Sequence, residues 1–187
     1  MIIIGITGTI GAGKGTIVEY LAKEKDFSHF SVRGYLLKVI RNRKLEKNRD
    51  NMVAIANELR REHGNDYIVK QLYLQAKKAG RNTMIESIRN VGEIDGLKEL
   101  GDFILLAADA PPELRYKRIV CRKSETDTIS FEEFLANEER EMQSDDPNAQ
   151  NIRACMDRAD YTLRNDKSFS DLHKQVEEIL KKIQKKR

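Results

Sequence analysis

The stretch Gly8-Thr9-Ile10-Gly11-Ala12-Gly13-Lys14-Gly15-Thr16 decides the fold class of this 187-residue chain. It follows an apolar, β-branched run at residues 2–7, which is typical of a buried parallel strand, and it precedes a helical pattern over residues 14–25. A glycine-rich turn between a strand and a helix can point backbone N–H groups at an anion, and the helix N-terminus adds its positive dipole end. The sequence therefore predicts a phosphate-binding loop at residues 8–16, called the phosphate loop below.

The lysine of this loop carries the first chemical prediction. Lys14 is expected to reach the β- and γ-phosphates of a nucleotide and to offset charge there. The strict motif places Ser or Thr directly after the lysine, whereas Gly15 stands here and the hydroxyl follows at Thr16. The Gly-Lys-Gly-Thr form resembles the loop of adenylate kinases and related nucleoside monophosphate kinases. This resemblance implies ATP and Mg²⁺ as cofactors, with Thr16 as the hydroxyl that orders the metal.

The rest of the chain alternates between strand and helix patterns. Further strands are predicted at 29–32, 83–88, 103–108 and 159–163, and helices are predicted at 36–47, 50–63, 66–79, 95–100, 112–122, 131–142 and 168–186. Such alternation predicts an α/β fold, a three-layer α/β/α P-loop NTPase fold with a five-stranded parallel sheet. We expect a single P-loop kinase domain over 1–187, with two helical insertions: an acceptor-binding lobe at about 33–80 and a lid at about 123–157.

Composition and missing motifs narrow the class of protein. Two cysteines make neither a disulfide framework nor a metal site, and no apolar run reaches the about 18 residues that span a bilayer, so a cytoplasmic protein without membrane contacts is expected. The net charge of +4 lies largely in a C-terminal helix end, which favours a solvated helix over a nucleic-acid tail. The GTPase motifs Asp-x-x-Gly and Asn-Lys-x-Asp are missing, and the length argues against helicases and AAA-type motors.

The end of the third predicted strand supplies two candidate side chains. Adenylate kinase-like enzymes carry an Asp-Gly-x-x-Arg type element at this place, and residues 84–89 resemble it with Glu86 as the acid and Arg89 as the arginine. The resemblance implies that Glu86 holds a Mg²⁺-bound water or accepts a proton from the acceptor, and that Arg89 clamps an acceptor phosphate during catalysis. The alternatives are an acid at a strand end without a role and a surface ion pair.

Arginines and one asparagine near the predicted lid are further candidates. Residues 109–118 resemble the run that leads into the lid of dephospho-coenzyme A kinases and nucleoside monophosphate kinases. Arg118 and Arg122 would therefore stabilise charge on the transferring phosphoryl group, although a solvated basic face remains the alternative. Asn165 follows the last predicted strand, where these families border the ATP base; a simple turn is equally compatible with it.

The acceptor side is predicted more loosely. Ser31, Arg33 and Tyr35 stand where adenylate kinases carry a Thr-Gly-Asp-x-x-Arg type element, and they are candidates for a hydroxyl contact, a phosphate clamp and base stacking. Arg60 shares the spacing of an apolar helix face and is expected to point into the acceptor site, the alternative being a stem that snorkels along the helix.

Three functions are compatible with these residues. The leading one is a kinase, monomeric or homodimeric, that phosphorylates a nucleoside or deoxynucleoside monophosphate. The second is a kinase of another small acceptor such as dephospho-coenzyme A. The third is an ATP-binding regulator or a nucleic-acid-associated ATPase, which the excess of basic over acidic residues would favour.

Overall fold

The computed structural model describes residues 1–122 and 129–185. Its strands are β1 (Ile3–Gly8), β2 (Ser28–Ser31), β3 (Thr83–Glu86), β4 (Phe103–Asp109) and β5 (Tyr161–Arg164). Its helices are α1 (Lys14–Lys25), α2 (Val32–Asn42), α3 (Arg49–His63), α4 (Tyr67–Ala79), α5 (Val91–Leu100), α6 (Pro112–Arg122), α7 (Phe131–Met142), α8 (Ile152–Asp157) and α9 (Phe169–Lys185). The first part of the predicted lid, residues 123–128, lies outside the described residues.

The described strands form one parallel sheet in the order β2-β3-β1-β4-β5. Strand β1 is central, and its Ile3 is in register with Thr83 of β3 on one side and with Phe103 of β4 on the other. The connection after β1 leads to β2 on one side of it, and the connection after β3 crosses to β4 on the other side. Such a switch point opens a crevice beyond the carboxyl ends of the strands. This arrangement confirms the predicted five-stranded parallel sheet and sets the phosphate loop in that crevice.

Helices cover both faces of the sheet, because successive strand residues point to opposite sides. Ile4 and Ile6 of β1 pack with the inner faces of α1 and α9. Ile3 of the same strand packs on the other side, in a cluster to which α2, α3, α4 and α5 contribute. Two apolar layers thus enclose the sheet, which confirms the three-layer α/β/α fold.

Two helices begin earlier than their periodicity indicated. Helix α2 begins at Val32, not at 36, because the hydroxyl of Ser31 accepts a hydrogen bond from Gly34 N at 3.2 Å and caps the helix. Helix α5 begins at Val91, not at 95, behind a capping box between Asn90 and Glu93. Its glycines hid this helix: a Cβ on Gly92 would lie 2.3 Å from Asn65 Cβ, so glycine is needed for close packing.

Helix α8 was not predicted. It spans only six residues, too few for an apolar period to be recognised. Asn151 caps it by accepting a hydrogen bond from Ala154 N at 3.0 Å, and its own residues Ile152 and Cys155 are buried. None of the helices within 1–122 and 129–185 is long and apolar enough to cross a bilayer.

Candidate active site

The phosphate loop depends on glycines at three places. Gly8, Gly11 and Gly13 have φ angles of 127°, 77° and 94°, which side chains other than glycine rarely adopt. A Cβ on Gly13 would lie 2.0 Å from Asn165 Nδ2, and one on Gly8 would lie 2.1 Å from the carbonyl oxygen of Ala108. The loop is therefore wrapped tightly against the ends of β4 and β5, with its concave side toward the crevice.

Side chains behind the loop hold its carbonyl groups. Asn165 is buried, and its Nδ2 donates to Ala12 O at 3.0 Å. Arg118 Nη2 donates to Asn165 O at 2.9 Å, and Arg115 Nη1 donates to Ile10 O at 3.3 Å. Asn165 and Arg118 thus support the loop in this structure, and their predicted contacts with ATP stay predictions. Arg122 ends α6, and its side chain lies outside the described part of the chain.

Lys14 folds over the loop to which it belongs. Its Nζ donates to Gly8 O and to Thr9 O, each at 2.7 Å. Lys14 also lines a cavity of about 500 Å³ together with Thr16 and Glu86. The predicted loop, lysine, hydroxyl and acid are therefore brought together at one site.

The cavity runs from the phosphate loop into the helices that follow β2. Loop residues Ile10, Gly11, Gly13, Lys14, Gly15 and Thr16 form one end. The remaining walls are Glu19, Val32, Arg33, Leu36, Arg49, Met52, Val53, Ala56, Arg60, Glu86, Ser87, Arg89, Glu141 and Gln150. The walls thus combine aliphatic side chains with many charged groups. A cavity of this size accommodates a small organic ligand.

Glu86 ends β3 beside His29, with its Oε2 3.3 Å from His29 Nε2. Burial raises the pKa of the Glu86 carboxyl, but the His29 hydrogen bond and the charge of Lys14 outweigh it, so the pKa lies below its usual value. Glu86 is therefore a carboxylate at neutral pH. The next residue, Ser87, has a φ of 72°, a strained conformation of the kind that clusters at functional sites.

A cluster of charged side chains in the cavity surrounds Glu141 of α7. Its Oε1 accepts from Arg49 Nη2 at 2.6 Å and from Arg49 Nε at 3.1 Å, while its Oε2 accepts from Arg89 Nη1 at 2.6 Å. Burial raises the pKa of the Glu141 carboxyl, but the two guanidinium groups together lower it by more, so the net shift of the pKa is downward. Sequence reasoning predicted Arg89 and missed Arg49 and Glu141, because neither belongs to a recognisable motif.

Arg60 lines the cavity, but its guanidinium is engaged. Nη2 donates to Glu93 Oε1 at 2.8 Å, and Nη1 lies 3.3 Å from Asn148 O. The other oxygen of Glu93 accepts from the backbone N–H of Arg89 at 2.9 Å. Arg60 is therefore linked to the turn that carries Arg89, and its predicted contact with an acceptor stays a prediction.

Ser31 and Tyr35 are not brought into this cavity, whereas Arg33 is. Ser31 and Tyr35 instead line a separate depression of about 370 Å³ beside the edge strand β2. The Ser31 hydroxyl caps α2, and burial together with a hydrogen bond to Tyr67 raises the pKa of Tyr35 to about 12. Base stacking by Tyr35 would therefore take place outside the cavity that holds Lys14.

The candidate metal ligands are few. Among the described residues, no group of three or more His, Cys, Asp and Glu side chains could hold a metal ion. Thr16 and Glu86 line the same cavity as Lys14, beside the place where nucleotide phosphates would lie. This sparse set fits Mg²⁺, which proteins usually bind through one or two carboxylates, waters and substrate phosphates.

Comparison with known proteins places the chain in a family. The AAA_18 family, described as an AAA domain, matches residues 4–144. The chain belongs to the AAA_18 family. This AAA_18 chain is also a UPF0200 protein: the UPF0200 protein MJ1399 of Methanocaldococcus jannaschii is 30% identical over 98% of this chain and 91% of that protein. The chain spans 57% of the UPF0200/UPF0201 protein of Archaeoglobus fulgidus, with 28% identity.

Solved structures similar to the AAA_18 chain include kinases. The shikimate kinase of Bacteroides thetaiotaomicron has a TM-score of 0.58 and 13% identity, covering 96% of this chain and 98% of that one. The dephospho-CoA kinase of Campylobacter jejuni has a TM-score of 0.54 and 17% identity, covering 97% and 96%. These likenesses confirm a P-loop kinase-like fold. The family is described as an AAA domain, whereas these two similar structures are kinases.

Proposed function

We propose that this chain transfers the γ-phosphoryl group of ATP, bound with Mg²⁺, to a small phosphorylated acceptor, with a nucleoside or deoxynucleoside monophosphate as the leading candidate. One observation carries the proposal: a single cavity joins Lys14 and Thr16 to Arg33, Arg49 and Arg89. A phosphate loop at one end suits a donor, and guanidinium groups at the other suit an anionic acceptor. Transfer between two ligands in one cavity needs positioning more than a strong base.

The donor end fits ATP with Mg²⁺. The glycine turn leaves the backbone of residues 8–16 close to any bound phosphate, and Lys14 would exchange its carbonyl contacts for phosphate oxygens. Thr16 and Glu86 would hold Mg²⁺ together with phosphate oxygens, and the metal would supply charge neutralisation when bound. Glu86 also remains a candidate for accepting a proton from the acceptor, since its carboxylate faces the same cavity.

The acceptor end fits an anion attached to an apolar body. Arg33 and Arg89 are the candidate phosphate contacts, while Leu36, Met52 and Val53 offer an aliphatic wall. Helix α7 borders this end through Glu141, as part of the predicted lid. Closure of that lid would exclude water and limit wasteful hydrolysis of ATP.

A kinase of another acceptor, such as dephospho-coenzyme A, is the second candidate. The likeness to the Campylobacter jejuni enzyme over 97% of this chain favours it. The cavity arginines would bind the phosphate of such an acceptor by the same contacts, so the site chemistry does not separate the two classes.

The test is an ADP-release assay over common nucleoside monophosphates and dephospho-coenzyme A. We expect acceptor-dependent ADP release by the wild type and a loss of about 100-fold or more in Lys14→Ala, because that lysine would contact charge that develops in the transition state. Lys23→Ala, on the exposed side of α1, is the matched control and should keep the rate. A different result would indicate a nucleic-acid-associated ATPase: ATP hydrolysis at the same rate with and without each acceptor, together with DNA or RNA binding that weakens as salt is raised.

A further inference from the structure

A carboxylate of the chain itself fills the basic end of the cavity. Glu141 is 5% exposed, and its two oxygens meet two different arginines, each at 2.6 Å. These arginines come from separate parts of the fold: Arg49 begins α3, and Arg89 follows β3. Both converge on one point at the cavity wall, and the geometry of that point is that of an anion site.

The charges at this point do not balance. Two guanidinium groups face one carboxylate. Among the described residues, the other side chain that the Arg89 guanidinium bonds is the neutral amide of Gln150, whose Oε1 accepts at 3.0 Å, while Glu93 bonds only the Arg89 backbone N–H. The side chains of Arg49 and Arg89 remain 21% and 23% exposed. A ligand in the cavity can therefore reach both guanidinium groups.

We propose that Arg49 and Arg89 form the binding site for the acceptor's phosphate group, and that Glu141 occupies this site until the acceptor displaces it. The inference rests on the proposed function and adds to it Arg49 as a second phosphate contact and Glu141 as an internal competitor for the phosphate. A dianion balances both arginines and offers three terminal oxygens where the carboxylate offers two. A monoanionic carboxylate ligand gains nothing over Glu141, which is already held in place.

When the Glu141 side chain is displaced from Arg49 and Arg89, the rest of α7 keeps its contacts. Glu138, one turn before Glu141, contacts Arg115 Nη1 at 2.6 Å, and Arg115 bonds the phosphate loop rather than the acceptor end. The Tyr116 ring also packs against Phe131 and Phe134 of α7. The exchange thus requires Glu141 to move, while the remainder of the helix keeps its contacts.

The test titrates the full chain with inorganic phosphate and follows the arginine Nε–Hε signals of Arg49 and Arg89 by NMR. In Glu141→Gln the internal competitor is neutral. The phosphate concentration at half-saturation should therefore fall about tenfold, as expected when a site that is available only part of the time becomes fully available. Glu139→Gln, on the exposed side of the same helix, is the matched control and should titrate like the wild type. Acetate should leave the wild-type signals in place.

Two further variants locate the phosphate. Arg49→Gln should abolish the response at Arg89, and Lys14→Ala should retain it. Phosphate binding that is no tighter in Glu141→Gln than in Glu139→Gln would overturn the inference, as would a response that survives in Arg49→Gln but is lost in Lys14→Ala. The titration needs no turnover. A chain that binds phosphate at Arg49 but releases no acceptor-dependent ADP would therefore support this site and contradict the proposed kinase.

Discussion

Arg60 and Glu93 form an ion pair of 2.8 Å whose side chains are 1% and 0% exposed. The pair joins α3 to α5, and the second oxygen of Glu93 accepts hydrogen bonds from the backbone N–H groups of Arg89 and Asn90 at 2.9 and 3.2 Å. One buried carboxylate therefore fixes both a helix of the predicted acceptor lobe and the turn that presents Arg89. Loss of the Glu93 carboxylate should therefore lower both the stability of the fold and the affinity for the acceptor.

Glu93→Gln should destabilise the chain by about 3–5 kcal/mol, because it leaves the Arg60 guanidinium buried without a counter-charge. Urea unfolding measures the loss, and Glu99→Gln on the exposed side of α5 should stay within about 0.5 kcal/mol of the wild type. A Glu93→Gln variant as stable as Glu99→Gln would show that the pair contributes little.

Asn165→Ala should loosen the phosphate loop. The variant removes the donor to Ala12 O from a buried position, at a cost of about 1–3 kcal/mol, and it should also weaken ATP binding. Calorimetric titration with ATP, beside urea unfolding, separates the two effects. Lower stability with unchanged ATP affinity would mean that the asparagine holds the loop without shaping its concave side.

Gly13→Ala and Gly15→Ala should differ sharply, although both residues belong to the phosphate loop and only Lys14 lies between them. A Cβ on Gly13 meets Asn165 Nδ2 at 2.0 Å on a backbone with a φ of 94°, whereas a Cβ on Gly15 meets nothing within 4 Å among the described residues. We expect Gly13→Ala to lose at least about 2 kcal/mol and Gly15→Ala to be neutral or to gain up to about 1 kcal/mol from helix propensity. Thermal unfolding measures both, and equal effects would contradict this account of the loop.

The stability contributed by Glu141 should depend on pH in one direction. The two arginines hold its folded-state pKa below the ordinary value of 4.5, although burial opposes them. The stabilisation is therefore fully present above about pH 4.5 and is lost as the pH falls through the lower folded-state pKa. The difference in unfolding free energy between the wild type and Glu141→Gln, about 1–3 kcal/mol at pH 7, should shrink on acidification. A difference that grows toward low pH would contradict the ion pairing.

The fold was largely predictable because its signals are local. The phosphate loop, the apolar strands β1 and β4 and the long amphipathic helices α3 and α9 each show a pattern within about twenty residues. The two glycines of α5 and the short length of α8 hid those elements, since both features weaken helical periodicity.

The candidate site was only partly predictable because its key contacts are not local. Glu141 meets Arg49 and Arg89 across 92 and 52 residues, and Arg60 meets Glu93 across 33. A motif can indicate Arg89 or Lys14 one at a time, but the partner of each side chain depends on how helices pack. Ser31 illustrates the same limit, since its hydroxyl caps α2 and stands apart from the main cavity.

The ammonium group of Lys14 donates hydrogen bonds to two carbonyls of its own loop. An incoming anion must supply at least as much hydrogen bonding as it displaces. A nucleotide's phosphate chain carries several anionic oxygens that could take the place of the two carbonyls. Nucleotide binding at this loop would thus be a ligand exchange around one ammonium group, in which release of the Gly8 and Thr9 carbonyls offsets part of the energy gained from the phosphates.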